Sequence, residues 1–116
     1  MLITLCRAKI HRATITEANL NYEGSITIDK TLLDAAELHP FEKVQVVNIN
    51  NGSRLETYVM VGEPDSGTIC LNGAAARLGV KGDRVIIMAF GHFSLEEAKS
   101  FKPCIIRVDN NNRVIG

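Results

Sequence analysis

A small closed β-barrel, mainly β with a few short helices at its rims, is the fold class the sequence predicts. Three observations carry that expectation. Most of the chain reads as short strand segments, turn chemistry separates them, and helical signals are few and brief. So many short strands in an open sheet would leave unpaired edges, and closure into a barrel removes them.

Each element can be justified in order. Residues 2–15 are rich in Leu, Ile and Thr with polar residues interleaved, which predicts a first strand. Residues 31–38 carry Leu32, Ala35 and Ala36 at helical spacing behind Asp29 or Lys30, which predicts a short helix. Strands at 44–49 and 55–61 flank Asn51-Gly52, a strong hairpin signal. Pro64-Asp65-Ser66-Gly67 is a second turn, ahead of a strand at 68–71. Asn72 is a good N-cap for a helical segment at 73–78 that stops at Gly79. A strand at 84–90 follows. Ser94-Leu95-Glu96-Glu97 is a capping box, so a helix should run to about Phe101, ahead of Pro103. Residues 104–108 read as the last strand. Asn110-Asn111-Asn112 reads as a solvated turn without function.

The chain has 116 residues, the length of one domain. It is long enough to bury roughly two-thirds of its unfolded surface around one core. Lys+Arg and Asp+Glu are both 13, and no basic run breaks the balance, which argues against nucleic acid as a partner. A small acidic ligand remains open, because one well-placed Arg can hold a carboxylate. Cys6, Cys70 and Cys104 are odd in number and lack metal-site spacing. They read as reduced, mostly buried thiols of a cytoplasmic protein. Arg7 and Lys9 interrupt the apolar N-terminus, so no signal-peptide layout is expected, and no apolar run is long enough for a membrane span. His39 and His92 have no neighbours at ligand spacing, so no metal is assigned.

Gly24-Ser25 invites a chemical reading. A Ser hydroxyl can attack the carbonyl of the preceding residue and convert the peptide to an ester. β-Elimination then leaves dehydroalanine, and hydrolysis gives a pyruvoyl group. Gly at the preceding position lacks Cβ, so its backbone can strain and its carbonyl is open to attack. Gly-Ser is also an ordinary turn dipeptide, and a second one, Gly52-Ser53, sits in the hairpin. The dipeptide alone leaves both readings open. The other candidates are also double-valued. Lys9 and His11 share a strand face, as solvated or structural residues or as parts of a site. Arg54 is a solvated charge or a fork for a carboxylate. Tyr58 is a packed aromatic or a proton donor. Asn72-Gly73-Ala74-Ala75 is a plain helix start or a set of free N–H groups for an anion.

Five separated stretches stand together in order: Lys9-Ile10-His11-Arg12, Tyr22-Glu23-Gly24-Ser25, Asn51-Gly52 with Arg54, Thr57-Tyr58, and Asn72-Gly73-Ala74-Ala75-Ala76. In these the chain resembles the bacterial aspartate 1-decarboxylases over nearly its whole length. The resemblance implies a single barrel domain of the double-psi type, cut between Gly24 and Ser25 into residues 1–24 and 25–116. It implies a covalent pyruvoyl group from Ser25, with neither metal nor pyridoxal phosphate. That group forms a Schiff base with L-aspartate and yields β-alanine for pantothenate biosynthesis. By the same resemblance Gly24, Ser25, Thr57 and Asn72 serve processing, and Ser25 and Tyr58 serve catalysis. Lys9, His11, Arg54, Thr57, Gly73, Ala74 and Ala75 border the substrate. It further implies a homo-oligomer, a tetramer with sites between subunits, and leaves room for a maturation helper protein. In a flat strand Arg54 and Tyr58 face one way and Thr57 the other, so a bulge, strong twist or barrel rim is expected there. Two other readings stand against the enzyme: a non-enzymatic barrel that binds or regulates, and a scaffold that no longer cuts itself.

Overall fold

The computed structural model describes residues 1–116 as one continuous chain. In order it forms β1 (Leu2–Thr14), β2 (Glu17–Asn19), β3 (Ser25–Asp29), α1 (Lys30–Ala36), β4 (Lys43–Asn48), β5 (Arg54–Gly62) and β6 (Ile69–Asn72). A 3-10 helix (Gly73–Arg77), β7 (Arg84–Ser94), α2 (Leu95–Ala98), β8 (Cys104–Val108) and β9 (Val114–Ile115) complete it. The mainly-β expectation is met, with two short α-helices. No helix is long and apolar enough to cross a membrane.

The strands line up as β2-β6-β3-β5-β4-β7-β1-β8-β9. β1 and β2 are consecutive pieces of one extended run, broken only at Ile15 and Thr16. At that break the Ile15 N–H donates to the Asp83 carbonyl ahead of β7, and the Thr16 N–H donates to the Ile69 carbonyl of β6. One run therefore pairs with β7 in its first half and with β6 in its second. The sheet returns on itself, and β8 and β9 extend from the outer side of β1.

Inside lie Ala8, Ile10, Ala13, Ile15, Ile26, Ile28, Val44, Val46, Val59, Ile69, Leu71, Val85, Ile87 and Ala89, with Leu32 and Leu33 of α1 closing one side. Alternation along β1 explains its part: Ala8 and Ile10 turn inward, so Lys9 and His11 turn out. Each fully buried Ile or Leu stabilises the fold by about 1.5–3 kcal/mol.

Several expectations shift in detail. β3 was not legible as a strand. Four of its five residues are buried, so it lacks the in-and-out alternation that marks a half-exposed strand. α1 begins at Lys30 with Asp29 as its cap, whose carboxylate accepts from the Thr31 N–H. α2 has the expected capping box but ends at Ala98, not Phe101. The segment after Asn72 is a 3-10 helix, and the Asn72 side chain makes no capping bond. The cysteines are free, but only Cys70 is buried; Cys6 and Cys104 are half-buried. The asparagine turn is not wholly solvated. Asn112 is buried at φ 58°. It accepts from the Thr14 N–H and donates to the carbonyls of Thr14 and Gly67, each at 2.8 Å. This pins the C-terminal hairpin to β1 and to the 64–67 turn.

Candidate active site

β3 and β6 run antiparallel with Ser25 opposite Asn72 and Thr27 opposite Cys70. Their alternate partners, Ile26 with Leu71 and Ile28 with Ile69, belong to the core. Period two therefore gathers Ser25, Thr27, Cys70 and Asn72 on the other face as one polar quartet. The Asn72 Nδ2 donates to Ser25 Oγ at 3.0 Å and to Thr27 Oγ1 at 2.9 Å. Its Oδ1 accepts from the Cys70 thiol at 3.1 Å. Ser25 Oγ donates to the Glu23 carbonyl at 3.1 Å. Burial first, and then Glu17 on the adjoining β2, push the Cys70 thiol up to about 11.

Beside the quartet is an open cavity of about 400 Å³ walled by Gly24, Glu56, Thr57, Tyr58, Ala74 and Ala75, with Leu55 and Leu78. Its position follows from pairing. β5 pairs with β4 over 54–58 and with β3 only from Val59 onward. Residues 54–58 thus have one open edge. Just upstream of that pairing, Gly24 shares the cavity wall with Thr57 and Tyr58. The β4–β5 ladder runs from Tyr58 to Arg54 without a shift, so no bulge brings Thr57 and Tyr58 together. The open edge does, because side chains from both faces border it. Tyr58 also stacks on Phe41, with ring centroids 6.5 Å apart.

Gly24 carries no steric requirement for a glycine. It does not lie at positive φ, and a Cβ built there would meet nothing within 4 Å. The glycine the geometry requires is Gly73. It sits at φ 62°, and an added Cβ would lie 2.7 Å from both the Gly24 nitrogen and the Tyr22 carbonyl oxygen. Only a residue without Cβ lets the 22–24 loop rest against the start of the 3-10 helix.

The remaining candidates lie outside the cavity wall. Arg54 leads β5 one residue before the wall begins, and its Nη1 donates to Gln45 Oε1 at 2.9 Å. Lys9 and His11 stand on the outward face of β1, where Lys9 is beside Met88 and Ile105 and His11 is beside Arg107. Burial first, then the charges of Lys9, Arg107 and Arg12, hold the His11 imidazole below its usual pKa. Reading the sequence missed Thr27, Cys70 and Glu56. The i, i+2 spacing of Cys70 and Asn72 was a usable signal, since strand residues two apart share a face. Glu56 sets a carboxylate in the wall, paired with Lys43 at 2.6 Å.

The family model described as aspartate decarboxylase matches residues 1–115. The chain is 63% identical over 115 residues to the aspartate 1-decarboxylase of Caldicellulosiruptor saccharolyticus, which covers 99% of this chain and 90% of the relative. It is 58% identical over 114 residues to that of Clostridium botulinum, covering 98% and 90%. It is 57% identical over 114 residues to that of Leptospira biflexa, covering 97% of each.

Proposed function

The chain belongs to the aspartate decarboxylase family, and on that premise we propose how its own residues make and use the reacting group. The reaction is removal of the α-carboxylate of L-aspartate to give β-alanine and carbon dioxide. We assign the product to pantothenate biosynthesis in the cytoplasm.

The observation that carries the reading is the seat of Ser25. It is 1% exposed, directly follows the cavity residue Gly24, and has its oxygen held by Asn72 at 3.0 Å. The Ser25 hydroxyl adds to the Gly24 carbonyl, and its proton passes to the amide nitrogen as the C–N bond breaks. Thr57, which shares the cavity wall with Gly24, polarises that carbonyl. Loss of the residue 25 Cα proton to water expels the Gly24 carboxylate from Cβ. Asn72 donates to the departing oxygen and stabilises its growing charge. Hydrolysis of the resulting dehydroalanine releases ammonia and leaves a pyruvoyl group at residue 25.

The residues present fit that group: the oxygen to be expelled already has a donor in Asn72, and Gly24 opens on a cavity with room for a small amino acid. When formed, the group supplies a carbonyl that takes up the electron pair left by departing carbon dioxide. Arg54 holds the side-chain carboxylate, so that only the α-carboxylate is free to leave. Gly73, Ala74 and Ala75 border the substrate and leave it room. Tyr58 delivers a proton to Cα after carbon dioxide departs. Lys9 and His11 face away from the cavity of their own chain. This supports a symmetric oligomer in which a neighbouring copy brings them to the site, and the family resemblance implies a tetramer.

Intact mass under denaturing conditions tests the cleavage. We expect two pieces, residues 1–24 and 25–116, the larger lacking a free amino terminus, and a single chain for Ser25→Ala. Gly52-Ser53 stays whole in both. A native chain left uncut after prolonged warm incubation, with and without added cell extract to supply a helper protein, would overturn the reading.

A further inference from the structure

We propose that Cys70 is a positioning residue for self-cleavage: its S–H sets the orientation of the Asn72 side-chain amide and so keeps the Asn72 NH2 on the Ser25 oxygen. The inference rests on the cleavage reading above and extends it to a residue that neither the family motifs nor the cavity wall includes.

A primary amide has nearly the same shape in its two orientations, so its neighbours must choose between them. With Nδ2 toward β3, Asn72 donates to Ser25 Oγ and Thr27 Oγ1, and its Oδ1 takes the thiol proton of Cys70 at 3.1 Å. Turned over, its oxygen would meet the two hydroxyl oxygens and its NH2 would meet sulfur, a weak acceptor. The hydroxyls alone do not decide, because each can rotate to donate to a carbonyl oxygen. Cys70 is the neighbour with a preference. Its nearest acceptor is Asn72 Oδ1, with Glu17 Oε2 and the Leu71 carbonyl further off at 3.8 Å each. The thiol also keeps its proton well past neutral pH, so the donor persists wherever the protein works.

The orientation matters at the step that expels Gly24. As the Cβ–Oγ bond of residue 25 breaks, its electron pair goes to the departing carboxylate. An NH2 aimed at that oxygen stabilises the charge, while an amide oxygen in the same place repels it. A turned amide would also draw the Ser25 hydroxyl proton away from the Glu23 carbonyl and redirect the nucleophile.

The test follows cutting at 24/25 by intact mass over time in the full chain, beside thermal melting. Cys70→Ser keeps a donor and is expected to cut at the native rate to within about twofold, since its hydrogen bond is retained. Cys70→Val fills the space without a donor and is expected to cut roughly fivefold to tenfold more slowly, as for loss of one hydrogen bond. Cys70→Ala, also without a donor, takes the place of Cys70→Val if that variant melts far below the native protein. Rescue by Ser at unchanged melting temperature separates orientation from packing. Native-rate cutting by the variants without a donor, or failure of Ser alongside them, overturns this inference and leaves the cleavage reading standing. A native chain that never cuts overturns both.

Discussion

Thr57 and Tyr58 are neighbours in the chain and in the cavity wall, yet they are assigned different work. Cutting needs a polarised carbonyl and a hydroxyl nucleophile, and the Tyr58 phenol enters neither step. Turnover needs a proton at Cα. Tyr58→Phe should therefore cut at a near-native rate but release β-alanine slowly, and Thr57→Val should accumulate uncut chain. Gel time courses beside β-alanine release per processed chain distinguish them, and the opposite pattern would exchange the two roles. His11 carries a separate, pH-linked signature. Its folded pKa lies below the usual imidazole value of 6.5, through burial and then the nearby cations. Above pH 6.5 both states are neutral there and nothing is lost. As pH falls through 6.5 the unfolded chain takes up a proton that the folded chain still refuses, so stability drops. His11→Gln should flatten that drop in melting temperature below pH 6.5, and an unaltered pH profile would remove His11 as its source.

At the scale of elements, the proposed cut site adjoins a loop that rests on a helix start. Gly73 meets the backbone of Tyr22 and Gly24 at distances no side chain tolerates, and it does so at positive φ. Gly73→Ala should cost about 1–3 kcal/mol from the backbone conformation alone. It should also push the 22–24 loop away from Ser25 and slow the cut. Melting and mass time courses on the same samples report both, and native values in each would show that the loop adapts freely. The open edge of β5 belongs to this scale too. It arises because β3 joins β5 only from Val59 onward, and it lets consecutive side chains share one cavity.

At the scale of the whole molecule, the proposed cut falls after the extended run of β1 and β2. β1 and β2 lie wholly within residues 1–24, and Ala8, Ile10 and Ala13 of β1, with Ile15 in the break between the strands, are completely buried. β1 pairs with β7 and β8, and β2 pairs with β6, so the small piece stays paired to three strands of the larger one after the chain is broken. The two pieces should elute together in native gel filtration and separate only under denaturing conditions. A small piece released without denaturant would mean that its hold on the larger piece is weaker than the pairing implies.

Much of this protein was determined by its sequence alone. Half-buried strands such as β1 and β4 announce themselves by alternation, since one face must be apolar. The hairpin at Asn51-Gly52 and the capping box at Ser94 are local, needing only residues a few positions apart. The ordered motifs around Ser25, Arg54, Thr57 and Asn72 identified the family. Tertiary structure decided the rest, for one physical reason: those features depend on partners distant in the chain. β3 is covered on both faces, which erases the alternation. Asn112 is buried because β1 and the 64–67 turn come to it. Gly73 is needed because of Gly24 and Tyr22, and Gly24 itself is not sterically constrained. Cys70 looks like any small apolar residue until pairing sets it across from Thr27 and beside Asn72, where a single thiol proton can choose the direction of an amide.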